Sequence, residues 1–418
     1  MTAHLTRRRA LLAAAGLGLS VDLLARPAFA AGDLANRKLV VVICRGGLDG
    51  LSLTPPVGDP DYQGLRKGLA LGDDALALDG TFALHPALNA VHRLAKTGQA
   101  RIAPAVATPD RARSHFEAQD VLETGAAVVY GTSSGWLNRA VGSLKAQRTV
   151  DALSVGPTAP LILRGPAPAS SWSPGRGIDA QARLPTLLQD LYRDDPVLGP
   201  ALARGLATET MAQAAMSGLA DNAETPGMTM AAAQPGGGGG VEGYLRQGQE
   251  AARKLGGTLA GFMREPGGPQ IAALSLDGFD THANQGAAKG QLANRLGYLD
   301  AVLDGLHAGL GSEWSNTMVV VATEFGRTAR VNGTGGTDHG TASTALVLGG
   351  ALKPGGIVGD WPGLNTAALY ENRDLAPTLD MRGLFKGVLA DHMGLDRRAL
   401  EATIFPDSAA ARPVTGLV

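Results

Sequence analysis

"MVVVATEFGRTARVNGTGGTDHG" spans residues 318–340. Met318–Ala322 is a short apolar run rich in β-branched residues, with no polar alternation, which is the pattern of a strand buried on both faces. The chain leaves that run through a polar, glycine-rich loop carrying Glu324, Asp338 and His339. The same strand character recurs in Leu39–Cys44, in "QIAALSL" (270–276), in "ALSVG" (152–156), in "APLILRG" (159–165), in Arg101–Val106 and in "TALVLGG" (344–350). Helical spacing of apolar residues lies between several of these runs, in "HPALNAVHRLAKTG" (85–98), Leu184–Tyr192 and Gln291–Leu310. The segment "ATPDRARSHFEAQDVLETG" (107–125) reads as a loop passing into a helix around Ser114. Strands alternating with helices predict an α/β fold with a mostly parallel sheet covered on both faces.

In such sheets ligands gather beyond the carboxyl ends of the strands, and that is where the reactive side chains fall. Asp49 follows the first strand, Asp280 and His282 follow "IAALSL", Glu324 follows Ala322, and Asp338 and His339 lie beyond the next loop. Ser114 and His115 follow the Arg101–Val106 run. If Asp280-Thr281-His282 is extended, the carboxylate and imidazole point to one side and suit a divalent cation. The carboxylate-rich surroundings leave zinc, manganese, calcium and magnesium open. The small residues around His339 let its ring approach a metal, with Asp338 either a ligand itself or the group that orients His339. Glu324 reads as a site residue or as a carboxylate paired with Arg327 or Arg330. Two readings stand for Ser114: the N-cap of a helix, completed by Glu117 as a capping box, or a nucleophile beside an anion-receiving helix N-terminus. His115 is then a ligand or a proton donor. His85, His92, His307 and His392 lie on or beside helical patterns and read as structural.

Other chemistries are excluded by pattern. The glycine loop 333–336 has no Gly-Lys-Ser/Thr after it, and "GGLDG" lacks the dinucleotide-binding spacing. Cys44, the single cysteine, sits inside an apolar strand and reads as a buried structural thiol. Lys+Arg 37 against Asp+Glu 38 gives a formal charge of −1, with no electrostatic footprint for nucleic acid.

The N-terminus carries a separate message. Arg7-Arg8-Arg9, a mildly apolar stretch and Ala28-Phe29-Ala30 form the three parts of an export signal of the twin-arginine type, cleaved after Ala30. Residues 1–30 are therefore set apart from the fold, leaving 31–418 as a single domain with a flexible glycine-rich loop near 233–240. No other apolar segment reaches the ~20 residues a membrane span needs. The expected location is periplasmic or extracellular, with the twin-arginine export machinery as a partner.

"GGLDGL", "RSHFEAQD", "GWLNR", "GFDTH", "TEFGRT", "GTDHG" and "TLDMR", in that order, resemble the bacterial domain-of-unknown-function family numbered 1501. That family is grouped with the alkaline phosphatase-like superfamily of sulfatases, phosphatases and phosphomutases. The resemblance implies a three-layer α/β/α sandwich with a metal site at the carboxyl edge of the sheet. It places Asp49, Asp280, His282 and His339 on the superfamily's metal ligands and Ser114 near its hydroxyl nucleophile. Phe325 stands where the superfamily often has a histidine ligand. The resulting expectation is an exported hydrolase of small anionic phosphate or sulfate esters, holding one or two divalent ions. Asp49, Asp280, His282, Glu324, Asp338 and His339 make up its metal shell, Ser114 and His115 do the chemistry, and Arg327 steadies the anionic group. The rival is a non-catalytic exported protein that keeps the fold for binding or assembly with an envelope partner.

Overall fold

The computed structural model describes residues 34, 36–146, 150–156, 159–174, 188–189, 191–192, 195–217 and 241–418. The export segment 1–30, the glycine-rich loop 233–240 and most of the helix predicted over Leu184–Tyr192 lie outside the described residues. Within them the strands are β1 (Lys38–Cys44), β2 (Leu76–Ala77), β3 (Ala83–Leu84), β4 (Ala100–Ala107), β5 (Ala152–Val155), β6 (Ser170–Trp172), β7 (Ile271–Leu276), β8 (Thr317–Ala322), β9 (Ser343–Gly349) and β10 (Leu379–Asp380). β2 and β3 form a small hairpin, and the rest build one sheet in the order β10-β4-β9-β8-β1-β7-β5-β6. β9 pairs antiparallel with both β4 and β8, and every other neighbouring pair in the sheet is parallel.

β1 shows why the sheet needs cover on both sides. Val41 lies opposite Ala273 of β7 and Val320 of β8, and all seven residues of the strand are buried. Val40, Val42 and Cys44 pack with Leu255, Leu259, Leu299 and Leu306 from the helices Val241–Arg264 and Gln291–Leu310. Leu39, Val41 and Ile43 pack on the opposite face with Leu137, Val141, Leu384 and Val388 from Trp136–Lys145 and Met381–Asp391. The result is a three-layer α/β/α sandwich. Burial raises the Cys44 thiol far above its ordinary pKa, in keeping with a structural role.

The helices Val241–Arg264 and Gln291–Leu310 touch backbone to backbone. A Cβ on Gly256 would stand 2.0 Å from the Val302 carbonyl oxygen, and one on Gly305 would stand 2.1 Å from that of Arg253. The glycines that weaken the first helix as an isolated segment are what allow this approach. That helix and Leu198–Ser217 are absent from the sequence expectation. "APLILRG" is not the strand its apolar run suggested. Pro160 leads instead into a 3-10 turn over Leu161–Leu163. Among the described residues no helix is long and apolar enough to cross a membrane.

Candidate metal centre

Strand ends deliver the polar residues to one edge. β1, β7 and β8 finish at Cys44, Leu276 and Ala322, and β9 starts at Ser343, so the loops bearing Gly46, Asp280, Glu324 and His339 share that edge. His115 arrives on the first turn of the helix His115–Thr124. Asp280 sits at the centre. Its Oδ1 is 3.1 Å from His282 Nε2 and 3.3 Å from His339 Nε2, and its Oδ2 is 3.3 Å from His115 Nε2. His282 Nε2 and His339 Nε2 are 3.0 Å apart.

Each histidine is held from behind by an acceptor at Nδ1. Glu324 Oε1 lies 2.9 Å from His115 Nδ1, Asp338 Oδ1 3.3 Å from His282 Nδ1, and the Arg113 carbonyl 2.9 Å from His339 Nδ1. An Nδ1–H donated to an oxygen leaves the lone pair on Nε2, the arrangement found around bound metals. All three Nε2 atoms turn toward the Asp280 carboxylate.

The electrostatics follow from these contacts. Burial raises the Asp280 carboxyl, but the Arg327 guanidinium and the neighbouring His282 and His115 outweigh it and hold the pKa below the ordinary value. Glu324 is fully buried. Burial is again outweighed, here by hydrogen bonds from His115, the Gly46 amide at 2.8 Å and Gln119 at 3.3 Å. The Glu324 hydrogen bond raises the His115 pKa. Burial lowers that of His339, helped by His115 and Arg327 against the Arg113 carbonyl.

The donor set fits a divalent cation. Although His115 Nε2 is close to Asp280 Oδ2, the pair is not aligned for a hydrogen bond, and this buried nitrogen has no partner. An unsatisfied buried polar atom costs about 1–3 kcal/mol, and a cation at Nε2 would remove that cost. Ligands ~2.0–2.1 Å from a tetrahedral zinc lie roughly 3.3–3.4 Å from one another. The contacts around Asp280 fall close to that spacing, and His115, Asp280 and His339 can each offer one atom within 4.8 Å of the others.

Several residues stand elsewhere than the sequence suggested. Asp49 is buried in an ion pair with Arg66 and accepts from Ser52 at 2.8 Å and Gln285 at 2.6 Å, so its Oδ2 is engaged by these three groups. Arg327 is buried too. It donates to Asp280 Oδ1 at 2.6 Å, to Thr337 through both its side chain and its carbonyl, and to the Gly46 carbonyl at 3.4 Å. It therefore orients Asp280. Glu324 supports His115 and pairs with neither Arg327 nor Arg330, which binds the Asn372 carbonyl at 2.6 Å. Asp338 supports His282 in place of His339. Ser114 occupies the N-cap position without a side-chain capping bond, so the capping box with Glu117 is not formed. Phe325 packs its ring 4.9 Å from that of His115 and 4.8 Å from that of His339.

Other members of the site were not foreseen. Gln285 links the Asp49 network to the centre: its Oε1 accepts from Thr281 and Thr337, each at 2.8 Å, and Thr337 Oγ1 accepts from Arg327 Nε at 3.1 Å. Arg113 carries φ +59, a strained conformation for a side-chain-bearing residue, and offers its carbonyl to His339. Asn332 bonds the Asp338 carboxylate at 3.1 Å and the His282 carbonyl at 2.8 Å. A Cβ on Gly336 would meet the His282 carbonyl carbon at 2.4 Å, which accounts for a glycine in the loop beside it. "HANQ" and "RSHF" flank the histidines, so nearness in sequence was the one signal for Gln285 and Arg113.

Similar solved structures include the zinc complex of the C-terminal periplasmic domain of EcEptC from Escherichia coli, at 11% identity over 75% of this chain and 72% of that one, with TM-score 0.33. The lipoteichoic acid synthase LtaP from Listeria monocytogenes matches at 9% identity over 88% and 74% of the two chains, with TM-score 0.38. The phosphonate monoester hydrolase of Agrobacterium radiobacter matches at 12% over 86% and 74%, with TM-score 0.37. No match was found among curated proteins. The model of the family described as "Protein of unknown function (DUF1501)" matches residues 81–404, and the chain belongs to that family.

Proposed function

We propose that the protein is an exported, metal-dependent hydrolase of small phosphate or sulfate esters, with one divalent ion at Asp280, His115, His282 and His339. The observation that carries this reading is the convergence of three Nε2 atoms on one carboxylate, each ring oriented by an acceptor at Nδ1. An imidazole-rich set favours zinc over manganese, magnesium or calcium. A bound cation supplies Lewis-acid polarisation of an ester oxygen.

The chain's own residues supply the rest. Arg327 and the Gln285–Thr337 bonds fix the Asp280 carboxylate, while Glu324, Asp338 and the Arg113 carbonyl fix the three rings. Ser114, next to His115 and free of a capping bond, supplies the attacking hydroxyl. The anionic group is received at the open first turn of the helix His115–Thr124, since Arg327 is buried and bonded to Asp280, Thr337 and the Gly46 carbonyl.

Residues 1–30 act as the twin-arginine signal recognised by the export machinery, and 31–418 form one domain delivered to the periplasm or beyond. The support is Arg7-Arg8-Arg9 ahead of Ala28-Phe29-Ala30. Replacing Arg7, Arg8 and Arg9 by lysine should leave the protein inside the cell. Normal export of that variant would refute the assignment.

One observation favours the non-catalytic rival. Four protein donors can close a tetrahedral shell, which is how structural zinc sites are built, whereas catalytic sites keep a position open. The deciding experiment loads the chain with Zn²⁺ and measures turnover of 4-nitrophenyl phosphate and sulfate, with Ser114→Ala and His339→Ala as controls. Turnover lost in both variants supports the hydrolase. Bound metal without turnover, and a cobalt-substituted spectrum that phosphate and sulfate leave unmoved, would assign the site to structure or binding.

A further inference from the structure

We infer that the cleft beside His115 receives the non-reacting body of the ester, and that this body is a polyhydroxylated ring of the sugar or polyol class. This rests on the ester-hydrolase reading above. The cleft, about 470 Å³, opens at the carboxyl ends of β5 and β7. Gln119 belongs both to its wall and to the hydrogen bonds of Glu324, so the cleft adjoins the metal centre.

Its rim is aromatic. Phe116, the residue after His115, is 85% exposed, and Tyr130 is 76% exposed. Rings of this size left in water beside a cleft offer flat apolar faces to a ligand. Tyr130 is held at φ +56, a conformation that costs a side-chain-bearing residue energy, and its amide donates to Asp120 Oδ1 at 2.7 Å. Such strain gathers where a side chain must be presented.

The wall is polar and mildly acidic. Ser275 belongs to the wall, and its buried Oγ has no hydrogen-bond partner in the protein. Asp277, beyond the same strand, offers an acceptor. Arg45 is tied to Glu123 and Gln119, which leaves Arg164, whose Nε donates to the Ala159 carbonyl at 3.2 Å, as the other cation of a wall that also holds Asp120 and Asp277. A polyanionic body meets too little positive charge here. An alkyl tail would strip water from carboxylates without returning hydrogen bonds. A ring with an apolar face and a rim of hydroxyls matches the aromatic edge and the acceptors together.

The test uses the zinc-loaded chain and compares kcat/KM for glucose 6-phosphate and glucose 6-sulfate with ethyl phosphate and ethyl sulfate. The sugar esters should be preferred by about tenfold or more, because binding of the remote body is used in the transition state. That ratio should fall toward one in Phe116→Ala/Tyr130→Ala, with unchanged thermal melting showing that the variant is folded. Equal turnover of sugar and ethyl esters would overturn the cleft assignment and leave the hydrolase reading intact. If no ester is turned over, that reading fails by itself. Saturation-transfer NMR with maltotriose, cellotriose and chitotriose then decides the cleft. A transfer signal that vanishes in the double variant supports the inference, whereas no signal from any of the three sugars, or one that persists in the double variant, overturns it.

Discussion

Nε2 of His282 stands 3.0 Å from Nε2 of His339, while both rings engage acceptors at Nδ1. Two Nε2 lone pairs facing each other repel, so either one ring takes a second proton or a cation lies between them. The second outcome predicts one zinc per chain at neutral pH. His339→Ala should lose more than the ~10–100-fold in affinity that loss of an outer partner costs. Competition against a chelator, with metal content measured by mass spectrometry, checks this.

Asp338→Ala isolates the orienting role. The carboxylate is half exposed and bonds His282 Nδ1 and Asn332. Zinc affinity should fall by about 10–100-fold, while stability of the metal-free protein should move by no more than roughly 0.5 kcal/mol. A large loss of metal-free stability would show that Asp338 holds the loop instead of the ring.

Metal removal should be visible in stability as well. Zinc at 100 times its Kd would add about 2.7 kcal/mol through linkage. Thermal melting with and without a chelator measures the gain, and His339→Ala should abolish most of it.

The strands were legible because burial on both faces leaves an unbroken β-branched run, as in Val40–Ile43 and Val319–Val321. His282 and His339 were legible because glycines flank them in loops at strand ends, and His115 because it stands at a helix start that follows a strand. The misplaced roles belong to charges whose partners lie far along the chain. Asp49 meets Arg66 17 residues on, and Arg327 meets Asp280 47 residues back, and no local periodicity encodes either pairing. By family resemblance Phe325 stands in a ligand's place, yet its ring packs against two of the histidines. The helix Val241–Arg264 escaped notice because its glycines are chosen for contact with a second helix, and local propensity counts them as breakers.

Gly256→Ala tests that contact. The new Cβ would collide with the Val302 carbonyl, and backbone cannot move aside as a flexible side chain would. Helix propensity favours alanine by about 1 kcal/mol, yet the net change should be destabilising by roughly 1–3 kcal/mol. Urea unfolding gives the sign, and a stabilised variant would refute the close packing.

The Asp49–Arg66 pair should make the fold acid-sensitive. Burial raises the Asp49 carboxyl, but Arg66, Gln285 and Ser52 together hold it below its ordinary 3.8. A carboxyl depressed in the folded state contributes stability that is fully present above the unfolded value. That contribution drains away as pH falls from there through the lower folded value. Stability should therefore decline as pH drops below about 4. Asp49→Asn should flatten that part of the profile, and at pH 7 it should cost about 3–5 kcal/mol by leaving Arg66 buried without its counter-charge. Arg66→Met in the Asp49→Asn background removes the orphaned charge and should recover much of the loss. If urea midpoints between pH 3 and 7 decline equally in wild type and Asp49→Asn, the acid sensitivity belongs to other carboxylates and the pair stabilises the fold less than its burial implies.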